Sequence, residues 1–321
     1  MKEKDIAPLQ AAGNLLKTTT YHLHTLYLLT KSNLKCVLLP HTIFALSIHL
    51  SSPLLTTLPN ITLRATLSRL PYLLTWIYLN QLLCDISNQR LPSSIAQDTI
   101  SKPWRLIPSK RLTPTNLRHL FILAIPLVLL CTVFLGVTRE SASIIILLFI
   151  YNDLEGGDKN THLRDLINAL ALTSFSLGAT RVALENGGEL NEKGYEWLLL
   201  TGAMIFFTIS IQDLRDVEGD AATGRKSLPL VYGDSVARWM LATAIVFFSC
   251  ACPLFLGNGV GVTLGLGGLG VGLGFRVLWC RGVQADERSF TLWAVWCVGI
   301  YCLPILRNSG AVGGVDHVRS Q

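Results

Sequence analysis

Residues 118–137 read RHLFILAIPLVLLCTVFLGV, with no charge after the opening Arg118. About 20 mostly apolar residues are what one helix needs to cross the hydrocarbon core of a bilayer. Eight more apolar segments flank this one, at 34–53, 65–86, 142–155, 167–184, 196–212, 237–256, 259–279 and 289–306. A helix satisfies its own backbone hydrogen bonds in lipid, and no segment shows the period-2 alternation of a membrane barrel. The pattern predicts an all-α polytopic membrane protein, with about nine transmembrane helices in one bundle over residues 34–306.

Composition agrees. The chain has 321 residues, 50% of them hydrophobic and 15% charged, with a mean hydropathy of +0.44. Soluble domains carry about 25% charged residues, so an ordinary cytosolic enzyme is excluded, and the apolar content excludes global disorder. The start, MKEKDIAPLQ, mixes acids and bases and lacks the layout of a cleaved signal peptide. Residues 1–33 are therefore expected to form a cytosolic or interfacial segment, and residues 307–321 a disordered tail. Cys36, Cys84, Cys131, Cys250, Cys252, Cys280, Cys297 and Cys302 lie in or at the ends of apolar spans, as small buried hydrophobes do. None has zinc spacing.

Positive charge in short loops marks the cytoplasmic side. The loop between spans 2 and 3 holds Arg90, Lys102, Arg105, Lys110 and Arg111; that between spans 6 and 7 holds Arg215, Arg225, Lys226 and Arg238. Lys159 and Arg164 follow span 4, and Arg281 and Arg288 follow span 8. The odd-numbered loops are poorer, with Arg64, Arg139 and Lys193 nearly all they hold. The even-numbered loops are thus expected to face the cytosol. The net charge of +6 is a topology signal, and no basic face for nucleic acid is present. Four spans separate the two richest loops, so both emerge on one side and can converge.

Residues 212–233 read QDLRDVEGDAATGRKSLPLVYG. On a helix, the spacing of Asp213, Asp216 and Asp220 puts three carboxylates on one stripe. Adjacent acids repel unless a cation neutralises them. Hard oxygen ligands of this kind suit Mg²⁺, which shares itself readily with phosphate. Arg225 and Lys226 follow and suit a diphosphate. The alternative is a solvated juxtamembrane helix. The loop at 85–111, DISNQRLPSSIAQDTISKPWRLIPSKR, offers Asp85, Asn88 and Asp98 as oxygen ligands and Lys102 and Arg105 as phosphate contacts. Alone it reads as an ordinary polar loop; paired with the acid stripe it becomes a second half-site.

The two loops resemble the aspartate-rich motifs of the UbiA superfamily of intramembrane prenyltransferases. Asp216-Val-Glu-Gly-Asp220 matches the second motif, D-x-x-x-D, and GRKSLPLVYG resembles its continuation. The tail DTISKPWRLIPSKR resembles the segment after the first motif, with Asp98 at the motif's last acid. Asn88-Gln89 stands where Asn-Asp is usual, and an alternative register uses Asn80-Gln81 and Asp85. This altered first motif, the segment LRDLINAL with Arg164 and Asn168, and residues 26–45 resemble a fungal branch that includes UbiA-type terpene cyclases.

The resemblance implies a Mg²⁺-dependent membrane enzyme of the endoplasmic reticulum, its site open to the cytosol, that ionises an isoprenyl diphosphate. Asp98, Asp216 and Asp220 would be catalytic, with Asn88 and Asp213 joining them around the metal. Cyclisation of a C15 or C20 substrate is the leading expectation, aromatic prenyl transfer the second, and a cation-coupled transporter an alternative of another class. Transporters set such ions near the midplane on broken helices, whereas these acids lie in loops. Tyr72, Trp76, Tyr78, Tyr151, Phe206 and Phe207 are candidate chamber aromatics, since aromatic faces stabilise cations.

Residues 265–270 fit the G-x-G-x-x-G fingerprint, but no strand precedes them. Close packing by small residues explains them better than a nucleotide cofactor. The seven histidines form no ligand cluster. Asp153, Glu155 and Asp158 read as a loop tip, and Asn168 and Arg181 are expected to face the bundle interior.

Overall fold

The structure is a computed structural model that describes residues 3–59, 61–184 and 188–307. The tail expected to be disordered lies, after Arg307, outside the described residues. Fourteen α-helices follow in order among them: α1 Glu3–Thr30, α2 Leu38–Leu50, α3 Leu63–Ser87, α4 Pro92–Ser101, α5 Pro114–Leu135, α6 Thr138–Asn152, α7 Gly156–Lys159, α8 Thr161–Ala183, α9 Glu192–Thr208, α10 Val217–Thr223, α11 Leu228–Tyr232, α12 Asp234–Leu256, α13 Val260–Trp279 and α14 Val283–Tyr301. A 3₁₀ segment, Ile209–Arg215, prolongs α9.

Local chemistry sets the helix ends. Thr62, Thr113, Asn160 and Asn191 cap α3, α5, α8 and α9 by accepting a backbone N–H with their side chains. Pro114 opens α5, where its missing N–H costs nothing, and Gly136 and Gly257 end α5 and α12 in the left-handed region.

Each of the nine apolar segments falls on a helix, but they do not qualify equally as spans. Pro114–Leu135, Thr161–Ala183, Glu192–Arg215, Asp234–Leu256 and Val260–Trp279 are long and apolar enough. At about 1.5 Å per residue, α2 (13 residues) and α6 (15 residues) fall short of the bilayer core. Polar residues dilute α3 and α14: Asn80, Gln81 and Asp85 in one, Asp286, Glu287 and Arg288 in the other. The chain is an integral membrane protein. The outward faces of α5 and α13 carry large apolar side chains such as Leu123, Phe134, Leu264 and Leu269, each at least 65% exposed, as lipid contact requires.

Central α8 packs on α2, α3, α6 and α9, and α14 packs back on α2 to close the bundle. One core cluster is built around Phe44, Trp197, Ile245 and Trp296, and a second around Leu73, Trp76, Ile144 and Phe175. The α12–α13 pair is held close at Gly270, where a Cβ would stand 2.1 Å from Ser249 Oγ. Small-residue packing thus accounts for the last glycine of the 265–270 run.

The loops divide between two faces. On one, Thr57 and Asn191 tie residues 53–57 to 189–191. On the other, α4 packs on α10, bringing the two charged loops together.

Candidate active site

Gly219 lets α10 approach α4: a Cβ there would stand 3.2 Å from Gln97 Cγ. Gln97 Nε2 then donates to Asp220 Oδ1 at 2.6 Å, and Lys102 Nζ reaches Asp216 Oδ2 at 3.3 Å. The expected stripe of three acids on one helix needs correction. The 3₁₀ segment carries Asp213, the backbone breaks at Asp216 (φ −100°, ψ 8°), and α10 begins after it. The tighter winding and the break bury Asp213 and Asp220 completely and leave Asp216 lining a cavity.

That cavity holds about 210 Å³. Its mouth is polar, with Asn88, Asp98, Lys102, Arg105, Tyr151, Arg164, Asn168, Asp216 and Arg225 all on the lining. Its depth is apolar and aromatic, through Leu172, Phe175, Phe290 and Trp293.

The mouth is a lattice of acid–base pairs. Arg105 Nη1 donates to both oxygens of Asp98 at 2.8 Å. Arg164 Nη1 donates to Asp213 Oδ2 at 2.6 Å, and its Nε to the Tyr151 hydroxyl at 3.3 Å. Arg225 bridges Asp158 at 2.7 Å and Asp220 at 3.6 Å. Burial pushes the Asp98 carboxyl up against the pull of Arg105, and that of Asp220 up against Arg164 and Arg225. Burial would also raise Asp216, but Lys102 and Arg215 outweigh it and hold that carboxyl below its ordinary value. Burial lowers Lys102, partly offset by Asp216.

Some expected residues stand elsewhere. Lys226 is exposed and off the cavity, because the chain turns at Gly224 (φ +72°) and sends Arg225 inward first. Asp85 is fully buried beside Asn33 (2.5 Å) and Gln81 (3.3 Å), off the cavity lining. Of the six candidate aromatics, Tyr151 lines the cavity. Tyr72 is exposed, Trp76 is core and donates to Ser141, and Tyr78 is off the lining. Phe206 and Phe207 line a separate outer groove. Asp158 belongs to the mouth through Arg225, whereas Asp153 pairs with Arg90. Asn168 faces the interior as expected, and Arg181 pairs with Glu140 at 2.8 Å.

Residue patterns gave no warning of Gln97, Phe175, Phe290 or Trp293, and marked Arg215 only as a loop charge. Arg215 faces Asp216 at 3.7 Å, pairs with Glu287 and lies over the Phe290 ring. Its place inside the acid stripe was the available signal.

A family model for UbiA prenyltransferases matches residues 54–298. The chain belongs to this family. It is 29% identical over 290 residues to the fumagillin beta-trans-bergamotene synthase of Aspergillus fumigatus, covering 88% of this chain and 92% of that protein. It is 31% identical over 266 residues to a polyprenyl transferase of Hericium erinaceus, covering 79% and 84%. The fold matches a UbiA homolog from Archaeoglobus fulgidus solved bound to GPP and Mg²⁺, with a TM-score of 0.57, 12% identity, and 88% and 99% coverage.

The donor chemistry fits Mg²⁺. Among the described residues no three His, Cys, Asp or Glu side chains already stand close enough to hold one ion. Yet Asp213 Oδ1 and Asp220 Oδ2 are buried carboxylate oxygens without a hydrogen-bond partner. Unpartnered buried oxygens are costly, and a hard divalent cation takes this donor type.

Proposed function

We propose that this UbiA family member is a Mg²⁺-dependent terpene cyclase acting on farnesyl or geranylgeranyl diphosphate. The observation that carries this is a mouth of Asp, Lys and Arg side chains set over an apolar, aromatic-lined cavity. Asp213, Asp216 and Asp220, with Asn88 and Asp98, would hold the metal, which supplies charge neutralisation at the leaving diphosphate. Lys102, Arg105 and Arg225 bind diphosphate oxygens, and Arg164 orients Asp213 and Tyr151. The apolar depth excludes water from the allylic cation, and Phe175 and Trp293 supply aromatic surface around it.

The similarity to a named fungal terpene synthase over most of both chains supports cyclisation. The similarity to a polyprenyl transferase keeps intermolecular prenyl transfer as the second reading. The endoplasmic reticulum membrane is proposed with this reading, and the basic residues at the mouth support a cytosolic orientation of the site. The exposed Leu15, Leu16, Leu23 and Tyr27 of α1 support an interfacial position for residues 1–33.

Membranes from a host expressing the chain test this. They receive Mg²⁺ with farnesyl or geranylgeranyl diphosphate and no acceptor, and extracts are analysed by gas chromatography–mass spectrometry. A cyclic terpene, absent with EDTA, is expected. A product formed only after a phenolic acceptor is added would make the protein a transferase.

A further inference from the structure

Beneath the chamber lies a second, very small cavity of about 10 Å³, which shares Cys36, Leu172 and Trp293 with it. His41 lines this floor from α2. The imidazole is 1% exposed and stands among apolar and aromatic groups. Its ring stacks on Phe175, itself a chamber wall, at 5.5 Å between centroids. Nδ1 is 3.0 Å from Ser176 Oγ on α8, and Tyr301 of α14 presents its hydroxyl to the same serine. Nε2 has no hydrogen-bond partner.

Ionisable side chains at membrane depth are costly and mark function by default. Helix packing alone would be served by an aromatic or aliphatic residue here. In the tautomer whose Nδ1–H donates to Ser176 Oγ, the basic lone pair is on Nε2, and a proton acceptor at Nε2 requires this tautomer. His41 is not itself on the chamber lining; it stands directly behind Phe175, one side chain from a chamber suited to a carbocation. Resting on the cyclase reading above, we infer that His41 is the base that ends the reaction. The C–H bond beside the cationic carbon breaks and its electron pair becomes the new C=C bond. The proton goes to Nε2, and the imidazolium, disfavoured in apolar surroundings, yields it to water as the olefin leaves. Ser176 is a positioning residue that holds the ring through its contact with Nδ1.

The test compares wild type, His41→Phe and Ser176→Ala in membranes with Mg²⁺ and each substrate, reading released diphosphate and the product ratio. The ratio is a property of each turnover, so partial loss of folded protein does not change it. Wild type is expected to give chiefly an olefin. In His41→Phe, the share of that olefin should fall at least about tenfold, replaced by water-captured alcohols or earlier-terminated olefins, while diphosphate release continues. Ser176→Ala should shift the ratio the same way by less, and decides the matter if His41→Phe does not accumulate. An unchanged ratio in whichever variant turns over, or an alcohol as the chief wild-type product, overturns the assignment of His41 alone. If wild type releases no diphosphate from either substrate, the cyclase reading and the His41 assignment fall together.

Discussion

In the loop between α3 and α5, Asp98 engages Arg105 through both oxygens at 2.8 Å. In the segment after α9, Asp213 and Asp220 each keep one buried oxygen without a partner. Both regions are acidic and basic together, and they meet at one mouth, yet their carboxylates are in different states. A carboxylate whose two oxygens both accept from one guanidinium nitrogen is already neutralised and oriented. One with a bare buried oxygen still needs a cation. On the proposed reading the difference divides labour: the second segment would be the main metal side, with Asn88 and Asp98 completing it, and the first loop would also orient Arg105 and Lys102 toward the diphosphate.

The sharpest way to break this division is to remove the second segment's acids. Asp216→Ala or Asp220→Ala is expected to lower diphosphate release at least about a thousandfold, since the metal they would hold supplies several kcal/mol. The protein should remain inserted. Membrane fractionation with a diphosphate assay checks both points, and full activity in both variants would refute the metal assignment.

The first loop should respond less. Asp98→Ala frees Arg105 from its orienting partner, and a loss of roughly tenfold to a hundredfold is expected. Asp85→Ala should cost less than that, because Asp85 contacts Asn33 and Gln81 rather than the mouth cations. Steady-state rates on membrane preparations separate the two, and the reverse order would favour the register that begins at Asn80.

The junction between the loops supplies a milder probe. Gly219→Val would set a branched side chain where even a Cβ comes within 3.2 Å of Gln97. Overpacking of this kind costs about 1–3 kcal/mol, and a shift of α10 from α4 would spoil the Gln97–Asp220 and Lys102–Asp216 contacts. A fall in activity of about tenfold is expected, with Gly219→Ala milder. Equal activity in both would mean that the two loops need not touch.

The helical class, the family, and the meeting of the two loops were legible in the sequence because each rests on a local rule. Apolar run length marks helices, charge bias marks the loops' side, and acid spacing marks the motif. What escaped lies where tertiary packing decides. The 3₁₀ winding that turns Asp213 inward has no local signature. Phe175 and Trp293 line the chamber while Phe206 and Phe207 do not, although all four sit in similar apolar helices; which face a helix turns inward is set by its neighbours. His41 was silent for the same reason, since only the fold brings Ser176 and Tyr301 to it.

The smallest expected effect is also the finest test of the mouth's geometry. Arg225 and Lys226 are adjacent cations after the same acid stripe, and the residue pattern treats them alike. The turn at Gly224 separates them: Arg225 lies inside, bridging Asp158 and Asp220, and Lys226 is exposed and off the cavity. An exposed lysine's charge is screened by water and salt. Lys226→Ala should therefore change the rate by no more than about twofold, whereas Arg225→Ala removes a buried partner of Asp220 and should cost about tenfold or more. Substrate titrations at two ionic strengths check this. If Lys226→Ala equals Arg225→Ala, then the second cation swings in when diphosphate binds, and the mouth closes around its substrate.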